Sequence, residues 1–261
     1  WGIVVSLERF NGMFAFSVWD RRDRLLWLAR DRIGEKPLYY GWMGKVLLFG
    51  SELKALRKHP SWKGEINPDA LALFMQYGYV PTPYSIYQGI FKIKPATIAT
   101  FTQNHTSTFA PTKIKTYWQA EELARNGEVS PLQNDDAAAI GHLDKLLEDS
   151  VKQQMISDAP LGAFLSGGVD SSTIVAHMQK QSTRPVKTFT IGFREENYNE
   201  AVYAKKVAQH LGTDHTELYV DAKQAMEVIP RLPTIYDEPF SDSSQIPTFL
   251  ISQLTRQKVT V

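Results

Sequence analysis

Between residues 10 and 52 apolar and polar positions alternate in short runs. In FNGMFAFSVWD, Met13 and Ala15 fall on one face and Phe14, Phe16 and Val18 on the other. RRDR is a polar turn, and LLWLARDRIG, KPLYYGW and VLLFGS follow, the last two joined at MGK. Period-two runs with tight polar turns predict an antiparallel meander. Residues 52–59 predict a short helix stopped by Pro60. Asn67 is placed to cap a second helix, with Pro68 at its first position, running to about Tyr77. The next stretch, YGYVPTPYSIYQGIFKIKPATIATF, is rich in proline and aromatics. It reads as an ordered connector in which Tyr79, Tyr84, Tyr87 and Phe91 seek burial. Residues 102–136 are the most loop-like part and the expected domain boundary.

From residue 137 the period changes. Ile140, Leu143, Leu146, Leu147 and Val151 recur at helical spacing in AAAIGHLDKLLEDSVKQQM. Strand GAFL, loop SGGVDSS and helix TIVAHMQKQ come next, then strand VKTFTIGF. Asn199 is placed to cap helix EAVYAKKVAQHL, Gly212 to end it, and strand HTELYV follows. Helix AMEVIPRL is interrupted at Pro230; helix TFLISQLTRQ and a strand KVTV close the sequence. Strands alternating with helices predict a parallel sheet covered on both faces. Ligands of such sheets sit beyond the carboxyl ends of the strands. SGGVDSS and the residues after FTIGF occupy that position. The fold class is therefore mixed α/β: an antiparallel β domain followed by a doubly wound parallel-sheet domain. The expected division is 1–60, a connector at 61–135, and 136–261.

Composition narrows the function. The chain has 261 residues, 43% hydrophobic and 22% charged, enough for one large or two ordinary cores. Net charge is +1, so nothing points to nucleic acid or an anionic membrane surface as partner. No apolar run approaches the roughly 18 residues that span a bilayer, and no signal peptide opens the sequence. There is no cysteine, which removes disulfides, thiolate zinc sites and thiol nucleophiles and fits a cytoplasmic setting. The sequence opens at Trp1 and stops in what reads as a core strand, so it is expected to be a fragment of a longer protein.

The chemistry concentrates in SGGVDSS. Gly167 and Gly168 permit unusual backbone angles and let a ligand approach the amides. The loop opens a helix whose first N–H groups are unpaired and partly positive. Ser166, Ser171 and Ser172 add hydroxyls, and together these groups describe a phosphate cradle. It is not the Walker loop, because the lysine of G-x-x-x-x-G-K-[ST] is missing; G-x-S-x-G and G-x-G-x-x-G are missing too. A cradle without that lysine suits attack at the α-phosphorus with pyrophosphate leaving as a unit. Asp170 would repel a bare pyrophosphate but is tolerable facing a magnesium ion shared with the phosphates. The competing reading of Asp170 is a helix cap.

S-G-G-x-D-S-S between a strand and a helix resembles the pyrophosphate loop of the ATP pyrophosphatase superfamily (adenine nucleotide α-hydrolase-like). The flanking APLGAFLSGGVDSS, VKTFTIGF, HLGTDHTELYV and YDEPFSDSSQIPT, preceded by FNGMFAFSVWD and RDRIGEKPLYYG, resemble glutamine-hydrolysing asparagine synthetase of the B type. That resemblance implies an Ntn-type amidotransferase domain that frees ammonia from glutamine. It also implies a synthetase domain that turns aspartate and Mg-ATP into β-aspartyl-AMP, then asparagine. It implies that Leu165 and Ile191 flank adenine through backbone hydrogen bonds. Ser166, Gly167, Gly168, Asp170, Ser171 and Ser172 would hold pyrophosphate and magnesium. The expected partners are aspartate, glutamine or ammonia, and ATP; a homodimer is within what the resemblance allows. The family's N-terminal cysteine nucleophile, its second acidic ATP loop and its catalytic lysine have no counterpart here. No catalytic residue is therefore assigned, and the chain by itself is expected to complete neither half-reaction.

Other polar residues carry two readings. Arg30, Asp31, Arg32 and Lys36 match the family text but read as turn and ion-pair residues. Asp237, Glu238, Asp242 and Ser244 are either acidic turn residues or face the aminoacyl or metal site. None of the six histidines, His215 included, shows metal-ligand spacing. Two alternatives stay open: a related synthetase amidating another carboxylate or closing a β-lactam, and a non-catalytic nucleotide-binding fragment.

Overall fold

The alternating segment folds into four strands, yet not into one meander. In a computed structural model describing residues 1–102, 111–132, 135–193 and 199–260, the first half begins with α1 (Ile3–Arg9), β1 (Ala15–Asp20), β2 (Leu25–Arg30), β3 (Tyr39–Met43) and β4 (Val46–Gly50). It continues with α2 (Leu53–Leu56), α3 (Pro68–Tyr77), β5 (Ile90–Lys92), β6 (Thr97–Thr102), β7 (Lys113–Thr116) and α4 (Ala120–Val129). The strands form two antiparallel sheets, β1-β2-β6-β7 and β4-β3-β5. The two hairpins of the expected meander thus belong to different sheets.

The separation begins at Asp31. Its carboxylate accepts N–H groups of Gly34 (2.7 Å), Glu35 (2.9 Å), Lys36 (2.9 Å) and Phe14 (3.3 Å). The chain therefore turns tightly after β2 instead of running on into a neighbouring strand. Arg30 braces the turn, its guanidinium donating to the carbonyls of Lys36 (2.8 Å), Ile93 (2.7 Å) and Gly34. Leu28, Ala99 and Phe101 of one sheet then pack against Leu38, Tyr40 and Ile93, with the Tyr40 and Phe101 rings edge-on at 5.5 Å. Asp31 is 1% exposed. Burial pushes its carboxyl up, but the N–H groups of Lys36, Glu35, Gly34 and Phe14 outweigh this and hold it below the ordinary 3.8.

The alternation in β1 holds in part. Phe14 and Phe16 pack on Leu7, Ala29 and Ile98, whereas Met13 and Val18 are exposed. Asn67 caps α3 as expected, accepting the N–H of Asp69 (3.0 Å) and Ala70 (3.3 Å). In the aromatic stretch Tyr87 and Phe91 pack against the cores, but Tyr79 and Tyr84 stay largely exposed. Those two are ordered by main-chain bridges instead, Tyr79 to Phe240 and Tyr84 to Phe91. Within 102–136, read as loop, lie β7 and α4. No residue of α4 is buried; its helicity is local, with Glu121 and Glu122 in the first turn. Residues 103–110 lie outside the described residues.

The second half contains α5 (Asp136–Gln154), β8 (Gly162–Phe164), α6 (Val169–Gln181), β9 (Lys187–Phe193), α7 (Ala201–Leu211) and β10 (Asp214–Val220). After these come α8 (Ala222–Met226), a 3-10 turn (Ile229–Arg231) holding Pro230, α9 (Leu232–Ile235) and α10 (Gln245–Thr255). β8, β9 and β10 form the expected parallel sheet. Of the α5 stripe only Val151 is buried, against Met178 and Val186, while Ile140, Leu143 and Leu146 are exposed. Glu200, not Asn199, is the cap residue of α7, although Asn199 Oδ1 does accept the Ala201 N–H (3.2 Å). Gly212 ends α7 in the left-handed region, φ 71°. The chain divides into two compact units, Trp1–Pro131 with Pro233–Ser241, and Leu132–Leu232 with Asp242–Val261. Among the described residues no helix is long and apolar enough to cross a membrane.

Asp31→Asn leaves one acceptor oxygen for these N–H donors and turns an amide group against the rest. We expect a loss on the order of 2–4 kcal/mol at neutral pH in urea unfolding. Because the folded pKa lies below 3.8, the aspartate's advantage is complete above the unfolded value. The gap between wild type and variant therefore narrows as pH falls from about 5 through the folded pKa. A gap independent of pH would remove the charged carboxylate from the account.

Candidate functional site

Parallel strands succeed one another in the order β8, β9, β10, and helices cover both faces of the sheet. On one face Leu165, Val175 of α6 and Ala204 and Ala208 of α7 share a core. On the other, Phe189 and Ile191 meet Ile251 and Leu254 of α10, and Val259. The expected strand KVTV is not formed as such among the described residues, but its course is clear. Thr260 donates its N–H to the Pro160 carbonyl (3.0 Å), just before β8. Leu165 donates to Phe189 of β9 (2.8 Å), and main-chain groups an odd number of residues apart point to opposite edges of a strand. Thr260 thus lies beside the segment that leads into β8. Open parallel α/β sheets bind ligands beyond the carboxyl ends of their strands, and β8 ends at Phe164.

At that point stands the glycine loop. α6 starts earlier than read from the sequence: Gly168 is its N-cap residue and Val169 its first. Asp170, Ser171 and Ser172 therefore lie in the first turn of the helix, not in the loop. The helix begins early because Gly168, with φ −72° and ψ 163°, takes the extended cap conformation by itself. Asp170 makes no cap bond, and among the described residues it has no hydrogen-bond or ion-pair partner. Ser166 Oγ and Ser171 Oγ are 2.9 Å apart, and Gly168 N–H donates to Ser166 Oγ (3.3 Å). The N–H groups of Gly167, Val169, Asp170 and Ser171 meet no acceptor among the described residues. Ser172 Oγ is buried without a partner. The result is a set of bare amides around a helix N-terminus, the arrangement that binds anions.

The two glycines differ in what they do. Gly167 has φ 81°, and a Cβ on it would lie 2.6 Å from the Ala204 nitrogen. It is glycine because α7 packs on it. A Cβ on Gly168 would meet only Ser166 Oγ, at 3.4 Å. Nothing in the protein requires glycine there, which leaves its bareness for a ligand.

The remaining candidates fall elsewhere. Leu165 is buried, and its N–H is already spent on Phe189. Ile191 lines a cleft of about 710 Å³ with Phe193, Glu200, Ala222, Ser244 and Pro247; residues 166–172 do not line it. Of the acidic quartet, Asp242 and Ser244 stay with this sheet. Asp242 accepts the Ser244 N–H (2.8 Å), a bond that holds its carboxyl below the usual range. Asp237 and Glu238 belong to the first unit, where both carboxylates are engaged: Asp237 accepts the Leu53 N–H (2.6 Å) and Glu238 pairs with Lys92 (2.6 Å). Arg30, Asp31 and Lys36 build the turn after β2, and Arg32 donates to the Glu8 carbonyl (2.8 Å). His215 Nδ1 bonds Thr188 Oγ1 (2.9 Å). Among the described residues no three His, Cys, Asp or Glu side chains gather as a metal site. One feature of the mouth escaped the sequence reading: Gly192 lies under Tyr219 and Asn199, 2.8 and 2.9 Å from where its Cβ would be. The glycine inside FTIGF was the available signal.

A parallel sheet with helices on both faces and a glycine loop opening a helix makes the second unit an α/β domain of the doubly wound class. Comparison with known proteins agrees: residues 142–261 match the asparagine synthase family and residues 1–118 the glutamine amidotransferase domain. The chain is 39% identical over 258 residues to a putative glutamine-hydrolyzing asparagine synthetase 2 of Methanocaldococcus jannaschii, covering 98% of this chain and 48% of the relative. It is 32% identical over 256 residues to asparagine synthetase 1 of Bacillus subtilis (98% and 38%). To a putative asparagine synthetase of Mycobacterium tuberculosis it is 34% identical over 265 residues (100% and 39%). The chain belongs to the glutamine-hydrolysing asparagine synthetase family, and it spans less than half the length of each of these relatives.

The glycine assignment is open to test by folding alone. Gly167→Ala should cost about 2 kcal/mol or more in denaturant unfolding, from positive φ and the clash with α7. Gly168→Ala should unfold within about 0.5 kcal/mol of wild type. Equal losses at both positions would contradict the distinction.

Proposed function

We propose that the whole protein makes asparagine from aspartate, ATP and glutamine-derived ammonia, and that residues 166–172 of this chain hold the pyrophosphate of ATP. The observation that carries the reading is the row of N–H groups at Gly167, Val169, Asp170 and Ser171, without acceptors among the described residues, at the carboxyl end of β8. Family membership supplies the substrates.

In this reading the aspartate β-carboxylate attacks the α-phosphorus, the bond to the bridging oxygen breaks, and pyrophosphate leaves. Negative charge grows on the departing group, where the N-terminus of α6 and its bare amides stabilise it more than in the ground state. Ser171 and Ser166 hold each other and can turn a hydroxyl toward the same oxygens. Ammonia then displaces AMP from the β-aspartyl carbonyl, giving asparagine. Hydrolysis of glutamine to glutamate supplies that ammonia. We assign residues 1–60 to the amidotransferase part and 136–261 to the synthetase part, with 61–135 between them.

Asp170 fits magnesium. It is exposed, its side chain has no partner among the described residues, and it sits beside the amides. Magnesium is commonly held by one or two carboxylates with the phosphates and water completing its shell. When bound, the ion would neutralise phosphate charge; Asp170 would anchor it. Leu165 and Ile191 flank the adenine in this reading, Leu165 through its carbonyl because its N–H is engaged.

Aspartate-dependent exchange of labelled pyrophosphate into ATP by the full-length protein tests the reading. Gly168→Val should lower exchange by about a hundredfold or more while unfolding normally. A variant that exchanges at the wild-type rate would move the cradle elsewhere. Asp170→Asn should shift the magnesium titration of exchange upward by roughly tenfold. An unchanged titration would remove Asp170 from the metal.

A further inference from the structure

Gly167 rests on α7 at one peptide bond. A Cβ built on it would lie 2.6 Å from the Ala204 nitrogen and 2.8 Å from the Tyr203 carbonyl carbon. That bond falls between Ala201 and Lys205, which are one turn apart and lie on the same side of the helix. Both ends of the turn are held from β10. At Ala201 the holding residue is Tyr219, which pairs with Gly192 across β9 and β10. Its ring lies against that glycine: a Cβ on Gly192 would be 2.8 Å from Tyr219 Cε1, 2.9 Å from Ala201 Cβ and 2.9 Å from Asn199 Oδ1. A bare residue there lets the ring, the helix start and Asn199 meet on one piece of main chain. Asn199 Oδ1 also accepts the Ala201 N–H (3.2 Å). At Lys205 the holding residue is Glu217, whose Oε1 pairs with Lys205 Nζ at 3.0 Å. Glu217 Oε2 accepts the Tyr219 hydroxyl (2.8 Å), the two side chains lying on one face of the strand. The Glu217 side chain is 17% exposed and that of Lys205 55%, so the carboxylate is the fixed member of the pair.

A carboxylate reached by an exposed lysine adds little stability. What these contacts set is position. The buried side of α7 consists of Ala201, Ala204 and Ala208. Alanines bring a helix close to its sheet, but they raise no deep ridges to stop it sliding along the surface. Tyr219 and Glu217 supply that stop at both ends of a single turn. Groups in van der Waals contact cannot be compressed, so they pass displacement on. A slide of this turn therefore moves Gly167, and with it Gly168, the cap of α6.

We propose that Tyr219 and Glu217 are positioning residues, which fix the turn Ala201–Lys205 of α7 and through it the backbone of Gly167 and Gly168 beside the row of bare amides. The kinetic side of the proposal rests on the synthetase reading above; its structural side does not.

The test uses the full-length protein carrying isotope-labelled glycine, with the Gly168 amide signal identified by its loss in Gly168→Ala. Tyr219→Leu removes the ring, Tyr219→Phe keeps it, and Glu217→Gln keeps the shape but discharges the pair with Lys205. Without ligands, the Gly168 signal should be displaced in Tyr219→Leu and, by less, in Glu217→Gln. A signal at its wild-type position in Tyr219→Leu overturns the proposal. Should Tyr219→Leu not fold, Glu217→Gln decides, and an unmoved signal there overturns it equally. In aspartate-dependent pyrophosphate exchange, Tyr219→Leu should lower kcat roughly tenfold with a smaller change in KM for ATP, and Tyr219→Phe should stay within about threefold of wild type. Equal loss in the two tyrosine variants makes the hydroxyl, not the placement of the turn, what acts, and overturns the proposal. Glutamine hydrolysis should stay within about twofold in every variant. Parallel loss of glutamine hydrolysis and exchange marks a merely structural role and also overturns it. If the wild-type protein shows no pyrophosphate exchange, the synthetase reading has failed, and the Gly168 signal alone decides the positioning.

Discussion

The main chain at Gly167 lies against the main chain of α7, so close that no side chain fits between them. Everything at the mouth of the parallel sheet follows from that approach. It takes the chain out of β8 at a positive φ that only glycine adopts without cost. It sets Gly168 as the cap of α6 and so aims the first amides of the helix outward. It also ties α6 and α7 into the one core formed by Leu165, Val175, Ala204 and Ala208. The row of bare amides is therefore a by-product of packing: the helix stands where the sheet needs it, and its first donors are left at the carboxyl end of β8.

The carboxylates of this chain divide by what satisfies them. Asp31, Asp237 and Glu238 are given main-chain N–H groups or a lysine by the fold, and each fixes a direction of the chain. Asp31 fixes the turn at which the two hairpins part into two sheets. Asp170 is given nothing and stands exposed beside bare amides. An unpaired charge at the surface costs little, so its lack of a partner is affordable to the fold and useful to a cation. In sequence all four were acidic residues near turns, and only the surrounding backbone tells them apart.

Local grammar was legible where one short segment decides the outcome. The strands at 15–50, the Asn67 cap, the Gly212 stop, the interruption at Pro230 and the βαβ order of the second half depend on residues within a turn or two of each other. The glycine loop was legible for the same reason, since its cue is seven adjacent residues. The reading failed where distant segments compete. Whether β3 continued the meander rested on β5 and β6, which lie roughly 50 to 60 residues further on. The stripe on α5 predicts the helix correctly but says nothing of what, if anything, covers it.

Sequence by itself determined the two periods and the glycine-serine loop between a strand and a helix, with no lysine in it. Family membership was also legible there, because it is written in contiguous motifs. Tertiary structure decided which glycine is required by packing and which is not, and that Asp237 and Glu238 answer to residues some 180 and 150 positions earlier. The reason is range: period and capping are properties of neighbours along the chain, while the partner of a buried carboxylate is fixed only when remote backbone arrives beside it.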